Sequence, residues 1–169
     1  MQKNIGLNSK ILRTSALIIP LLSLNILADY KATIVDLNGK AYVGKDILEE
    51  AELYQGIEIG ERLKVVENSE AESIFDDGNA LLLKKGEVKI KENGVEVIDG
   101  EAVFEIVKGK FFEVSSSLCI IGVRGTEFLV KKEKGKAEIC VFRGKVEVRN
   151  PEFKKHKVIL KKGKKTIVL

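Results

Sequence analysis

Val123-Arg124-Gly125-Thr126-Glu127-Phe128-Leu129-Val130 is the stretch on which the reading of this chain turns. It is a short apolar run with a glycine near its start and charges beyond its end, the signature of a half-buried strand. Two arms of the same kind flank it. Upstream lie Gly100-Glu101-Ala102-Val103-Phe104-Glu105-Ile106 and Phe111-Phe112-Glu113-Val114; downstream lies Val141-Phe142-Arg143-Gly144-Lys145-Val146-Glu147-Val148.

The rest of the chain repeats that pattern. Asp76-Asp77-Gly78-Asn79 is a turn, and Gly86, Asn93-Gly94, Asp99-Gly100 and Lys108-Gly109 recur as further turns. Between them stand Arg62 to Glu67, Ala71 to Phe75, Ala80 to Leu83, Glu87 to Glu92, Val95 to Ile98 and Glu101 to Val107. Asn38-Gly39 predicts a two-residue hairpin turn, and Asp46 to Tyr54 reads as one or two helical turns or a loop. The pair Lys157 to Leu160 and Lys165 to Leu169 brackets Gly163 and closes the sheet. Connections this short leave no room for crossover helices. The expected fold is all-β: a single-domain β-roll or solenoid-like stack of short strands and hairpins, behind an N-terminal signal helix.

Composition agrees. The chain has 169 residues, 44% hydrophobic and 32% charged, with 15 Gly and 2 Pro. That is enough for one domain with its own core. The formal charge of +4 is unevenly spread. Residues 1–28 carry three basic groups and no acid; residues 152–169 carry seven lysines and one glutamate; residues 29–151 carry 19 basic and 24 acidic groups. A near-neutral body with a basic last segment lacks the charge of a nucleic-acid-binding domain.

The N-terminus reads as an address. Lys3, Lys10 and Arg13 precede the 13-residue run Ala16 to Ala28, which is short for a membrane span. It fits a signal peptide over residues 1–28, cleaved after Ala28 or later after Ala32, with an uncleaved anchor as the alternative. Residues 29–169 form the mature domain, periplasmic or secreted. Export permits a disulfide between Cys119 and Cys140. A hairpin of 118–131 with 136–149, turning at Glu133-Lys134-Gly135, sets Cys140 opposite about Phe128 and Cys119 far along the other arm. Two small buried thiols are therefore the better reading.

In this order the motifs resemble the FecR domain: the Phe104-centred strand, Phe112-Glu113-Val114, Gly125-Thr126-Glu127-Phe128-Leu129-Val130, Gly144-Lys145-Val146-Glu147-Val148, then Leu160 and Gly163. The resemblance spans roughly residues 33 to 168. It implies an extracytoplasmic β-rich fold which, in the best-known members, relays a signal from an outer-membrane receptor to a cytoplasmic sigma factor. About 15 residues before the apolar run leave no room for the sigma-binding segment of those members. The expectation is a stand-alone exported module.

Taken singly, the tempting residues have structural explanations. Gly125 permits a corner with positive φ and Thr126 starts the next strand with its hydroxyl satisfied by backbone; Phe104, Phe128 and Gly144 belong to the same framework. Arg124 either meets a ligand carboxylate or, the preferred reading, pairs with a nearby glutamate. Phe111 and Phe112 are adjacent, so in a strand they point to opposite faces and one of them is a contact candidate. Neither His156 with Ser115, Ser116 and Ser117 nor Asp76 with Asp77 makes a catalytic or metal-binding pattern. No cofactor and no metal is expected. The lysines at 154, 155, 157, 161, 162, 164 and 165 serve as a solvated edge or touch peptidoglycan or a membrane surface.

These readings lead to a non-catalytic binding or signalling module of the cell envelope that meets a protein partner at a sheet edge or strand ends, with Phe111, Phe112 and Arg124 as candidate contacts. The alternatives are a structural envelope component that binds itself or peptidoglycan, and a membrane-anchored regulator of sigma-factor signalling.

Overall fold

A computed structural model of the chain describes residues 31–109, 111–152 and 156–169; the expected signal segment lies outside them. The described residues form fifteen strands and no helix. In chain order they are β1 (Ala32–Asn38), β2 (Ala41–Gly44), β3 (Glu49–Glu50), β4 (Gly56–Ile57), β5 (Arg62–Val65), β6 (Glu70–Phe75), β7 (Ala80–Lys91) and β8 (Gly94–Glu105). Then follow β9 (Phe112–Ser115), β10 (Ile120–Val123), β11 (Glu127–Glu133), β12 (Lys136–Arg143), β13 (Lys145–Arg149), β14 (Lys157–Lys161) and β15 (Lys165–Val168). The all-β roll expected from the turn spacing is the fold found.

One continuous sheet is bent over on itself into two layers. The first layer runs β4-β1-β6-β7-β8-β11-β12-β15 and the second β3-β2-β5-β7-β8-β9-β10-β13-β14. The hairpin β7–β8 belongs to both. Its strands are twelve residues each, and their outer halves pair with β6 and β11 while their inner halves pair with β5 and β9. Gly86 and Gly100 stand opposite one another at the bend, at φ +100° and +94°. A Cβ on either would run into the other strand's backbone. Only glycine lets the two chains approach that closely while both turn the corner. The sequence reading took these two glycines for chain-reversing turns; they are kinks inside unbroken strands.

Elsewhere the chain crosses between layers at similar corners, among them Gly39, Gly125, Gly144 and Gly163. Asn38-Gly39 is such a corner and not the hairpin turn predicted for it. β1 pairs with β4 and β6, β2 with β3 and β5, and the two strands do not pair with each other. Residues 46–54 are loop around the two-residue β3. The closing strands β14 and β15 likewise pair with β13 and β12 and not with each other. Among the described strands only the β8–β9 pairing is parallel, made possible by the six-residue connection between Glu105 and Phe112, which leads from one layer to the other. Backbone donors at the start of that crossover are held: Ile106 N–H gives to Thr126 O at 2.9 Å, and Val107 N–H to Asn79 Oδ1 at 2.8 Å.

Alternation along the strands fills the space between the layers with one core, containing Ile34, Leu63, Leu81, Ile90, Phe104, Phe112, Phe128 and Ile139. Phe104 and Phe128 are cross-strand partners, stacked with ring centroids 5.2 Å apart. Phe75 of the first layer meets Phe112 of the second edge-on at 5.2 Å, the geometry that aromatic quadrupoles favour. Each buried phenylalanine contributes about 1.5–3 kcal/mol by burial.

Candidate interaction surface

β9 determines where the two adjacent phenylalanines go. Phe112 is its first residue and points between the layers, 1% exposed. Phe111 precedes it and points outward, 49% exposed. The expected split is therefore present, and it removes Phe112 from the contact candidates. Gly122, next to Glu113 in register, carries no side chain on the same outer face. The Phe111 ring and the Arg149 guanidinium close on the space it leaves: Phe111 Cε2 lies 3.7 Å and Arg149 Nη2 3.5 Å from where a Cβ on Gly122 would stand. Arg149 is held between Glu113 at 3.6 Å and Glu147 at 3.5 Å. Its Nε is buried without a hydrogen bond. Gly122 and Arg149 escaped the sequence reading. A glycine inside Ile120-Ile121-Gly122-Val123 was the available signal, since glycine in a strand marks close approach.

The neighbouring corner holds the other predicted residues. Gly125 takes φ +61° and Gly144, beside it, φ +81°. A Cβ on Gly144 would stand 2.8 Å from Gly125 O and 2.9 Å from Thr126 Oγ1, and one on Gly125 3.1 Å from Lys108 Cα. Thr126 is fully buried and its hydroxyl donates to Lys145 O at 2.8 Å, as the motif predicted. The crossover carrying Lys108 and Phe111 thus lies against the Arg124–Thr126 corner.

Arg124 corrects the expectation of an ion pair. It is exposed in the bend between β10 and β11, and no acid among the described residues lies within 4.0 Å of its guanidinium. Arg143, the second Arg-Gly arginine, takes that role. It stands opposite Glu127, itself opposite Glu105, and pairs with Glu105 at 2.7 Å and Glu127 at 4.0 Å. Two carboxylates side by side on a sheet call for a cation between them. Arg124, lying off the strand, is not in reach of them.

The remaining candidates keep structural roles. Asp77 caps its own turn, accepting from Asn79 N–H at 3.1 Å and Asn79 Nδ2 at 2.8 Å. Ser116 Oγ accepts from Leu118 and Cys119 N–H in the β9–β10 turn. Cys119 and Cys140 are free thiols. Burial pushes the Cys119 thiol up, against the opposing pull of Ser116; burial and then Glu138 push Cys140 up. Cys140 faces Leu129 and not Phe128, because Glu133 pairs with Lys136 and the turn is two residues, Lys134-Gly135, one shorter than expected. Of the C-terminal lysines, 154 and 155 lie outside the described residues. Lys157 pairs with Glu147 at 3.1 Å and Lys165 with Glu138 at 3.4 Å, while Lys161, Lys162 and Lys164 are exposed.

The bent β7–β8 hairpin, the Gly125-Thr126 corner and the Gly144 corner fall within residues 60–147, which match the family model described as FecR protein. The chain belongs to the FecR family. The FecR match takes in β5 through β12 and ends inside β13, so Phe111, Phe112 and Arg124 lie within it and both ends of the roll lie outside it. Two crystal structures of a "putative anti-sigma factor" from Parabacteroides distasonis, at 1.65 and 2.50 Å resolution, are similar to this chain. Each aligns with a TM-score of 0.54 at 26% identity, over 63% of this chain and 53% of that one. The chain thus spans about half the length of that protein. No curated protein matches the sequence.

Proposed function

We propose that this FecR-family chain is an exported, non-catalytic interaction module that serves signalling in the cell envelope, and that it meets a protein partner at the rim formed by Phe111 and Arg124. The observation that carries the reading is the Phe111 ring. Among the described phenylalanines it is the exposed one, set against Gly122 and beside an arginine corner. An aromatic with a neighbouring arginine is the composition of an interface centre. Likeness to the anti-sigma structure supports a regulatory class of partner. The N-terminal charge and apolar run support export.

The test is a photo-crosslinking residue at position 111 in the native host, with position 142 as the control on the other outer face. A discrete protein adduct from position 111 alone, lost in Arg124→Glu, is the expected result. Equal adducts from both positions, or none, would sink the proposal. Intact-mass analysis of the same sample reads the export claim: a chain starting at or shortly after Asp29 supports it, and an intact N-terminus in the membrane fraction overturns it.

A further inference from the structure

The two ends of the roll are complementary. At one end the layers stop at β3 and β4, which pair only with β2 and β1; at the other they stop at β14 and β15, which pair only with β13 and β12. Both ends therefore present open strand edges among the described residues. Such edges are templates for adding another chain unless charge or covering blocks them.

Apolar exposure gathers at the same two places. Eight of the ten large apolar side chains that the described residues expose lie in residues 47–59 or 158–169. At the first end Leu53, Tyr54 and Ile59 stand out at 47%, 62% and 48%. Tyr54 is held there by a backbone at φ +67°, a strained conformation for a bulky residue. Its N–H is fixed to Ile34 O at 2.8 Å. A cleft opens beside it, walled by Glu52, Glu58 and Glu61. At the second end Val158, Ile159 and Ile167 are 55%, 54% and 47% exposed. Val158 belongs to the inward row that includes Val148 and Leu160, and among the described residues no further strand lies beyond it in its layer.

Charge decides which end meets which. Residues 45–61 hold six carboxylates against one lysine; residues 156–169 hold five lysines and no acid. Two acidic ends or two basic ends repel, whereas an acidic and a basic end attract and position one another. We infer that copies of this chain associate head to tail, the basic β14–β15 edge of one seated on the acidic β3–β4 edge of the next. Each contact is heterologous, so the association extends both layers in one direction and leaves one end of each kind open. The inference is independent of the Phe111 rim, which lies on the side of the roll and stays free in such an assembly.

Sedimentation velocity on the full chain tests it. The sedimentation coefficient of the unmodified protein should rise with concentration at low salt, and the rise should shrink as ionic strength goes from about 0.05 to about 0.5 M and screening shortens. The pairs Glu49→Lys with Glu52→Lys, and Lys161→Glu with Lys164→Glu, each spoil one end at exposed positions. Each variant alone should remain monomeric, and a mixture of the two should form a 1:1 dimer that grows no further, since each brings one intact end. Far-ultraviolet dichroism and the thermal midpoint check that both variants are folded. The inference is overturned if the unmodified chain stays monomeric, if either variant still associates alone, or if the folded variants fail to dimerise when mixed. A monomeric chain whose basic end instead retains it on cell-wall sacculi would count against it in the same way.

Discussion

Thr126 has one hydrogen to donate, and Lys145 O at 2.8 Å receives it inside a corner closed to water. Valine in its place keeps the shape and removes that bond. Thr126→Val should therefore cost about 0.5–1.5 kcal/mol, read as a lower urea midpoint, and Thr126→Ser should recover part of it. Glu72 has the opposite relation to its site. It stands across from Asp36 on β1, and burial, then Asp36, Glu105 and Glu70, push its carboxyl above the ordinary value of 4.5. A carboxyl with a raised folded-state pKa binds its proton more tightly folded than unfolded. Its contribution to stability is fully present below the ordinary value and is lost as pH rises through the raised one. Glu72→Gln should accordingly raise the thermal midpoint at pH 7, with the gain over the native chain closing as the pH falls below 4.5. A constant difference across that range would contradict the assignment.

β7 and β8 are the elements that every other element depends on. Each lies inside both layers and pairs along its whole length, so opening their central bonds requires parting the core. β14 and β15 have a partner on one side and exposed side chains on the other. Hydrogen exchange should rank accordingly: amides of β7 and β8 slowest, close to global unfolding, and those of β14 and β15 exchanging by local fraying. Comparable protection in both pairs would refute the hierarchy. The same two elements show where reading a sequence stops. The strands at 80–83, 87–92, 95–98 and 101–107 were legible from alternation, and so was the hairpin after β11, although its turn is Lys134-Gly135, with Glu133 already paired to Lys136, and not Glu133-Lys134-Gly135. Their fusion across Gly86 and Gly100 was not. A glycine that reverses a chain and one that kinks it look alike until the glycine opposite is known, and that is a matter of register.

At the scale of the whole molecule, the fold class, the Gly125-Thr126 corner, the core roles of Phe104 and Phe128 and the family were all present in the order of motifs, since each rests on local alternation and turn chemistry. What depended on contacts between distant strands was not. Arg124 lost its expected glutamate to Arg143 because pairing follows register, and Arg149 and Gly122 came together from strands 27 residues apart in sequence. The polarity of the roll was visible in the charges but had no direction until the strands were ordered. That order also bears on how the molecule yields to a pull. β15 is held to β12, and β14 to β13, by four and five register pairs, with each strand on an outer edge. Tension on the basic end would peel β15, then β14, a few bonds at a time, while the β7–β8 hairpin still held. The roll would lengthen in steps instead of rupturing at once.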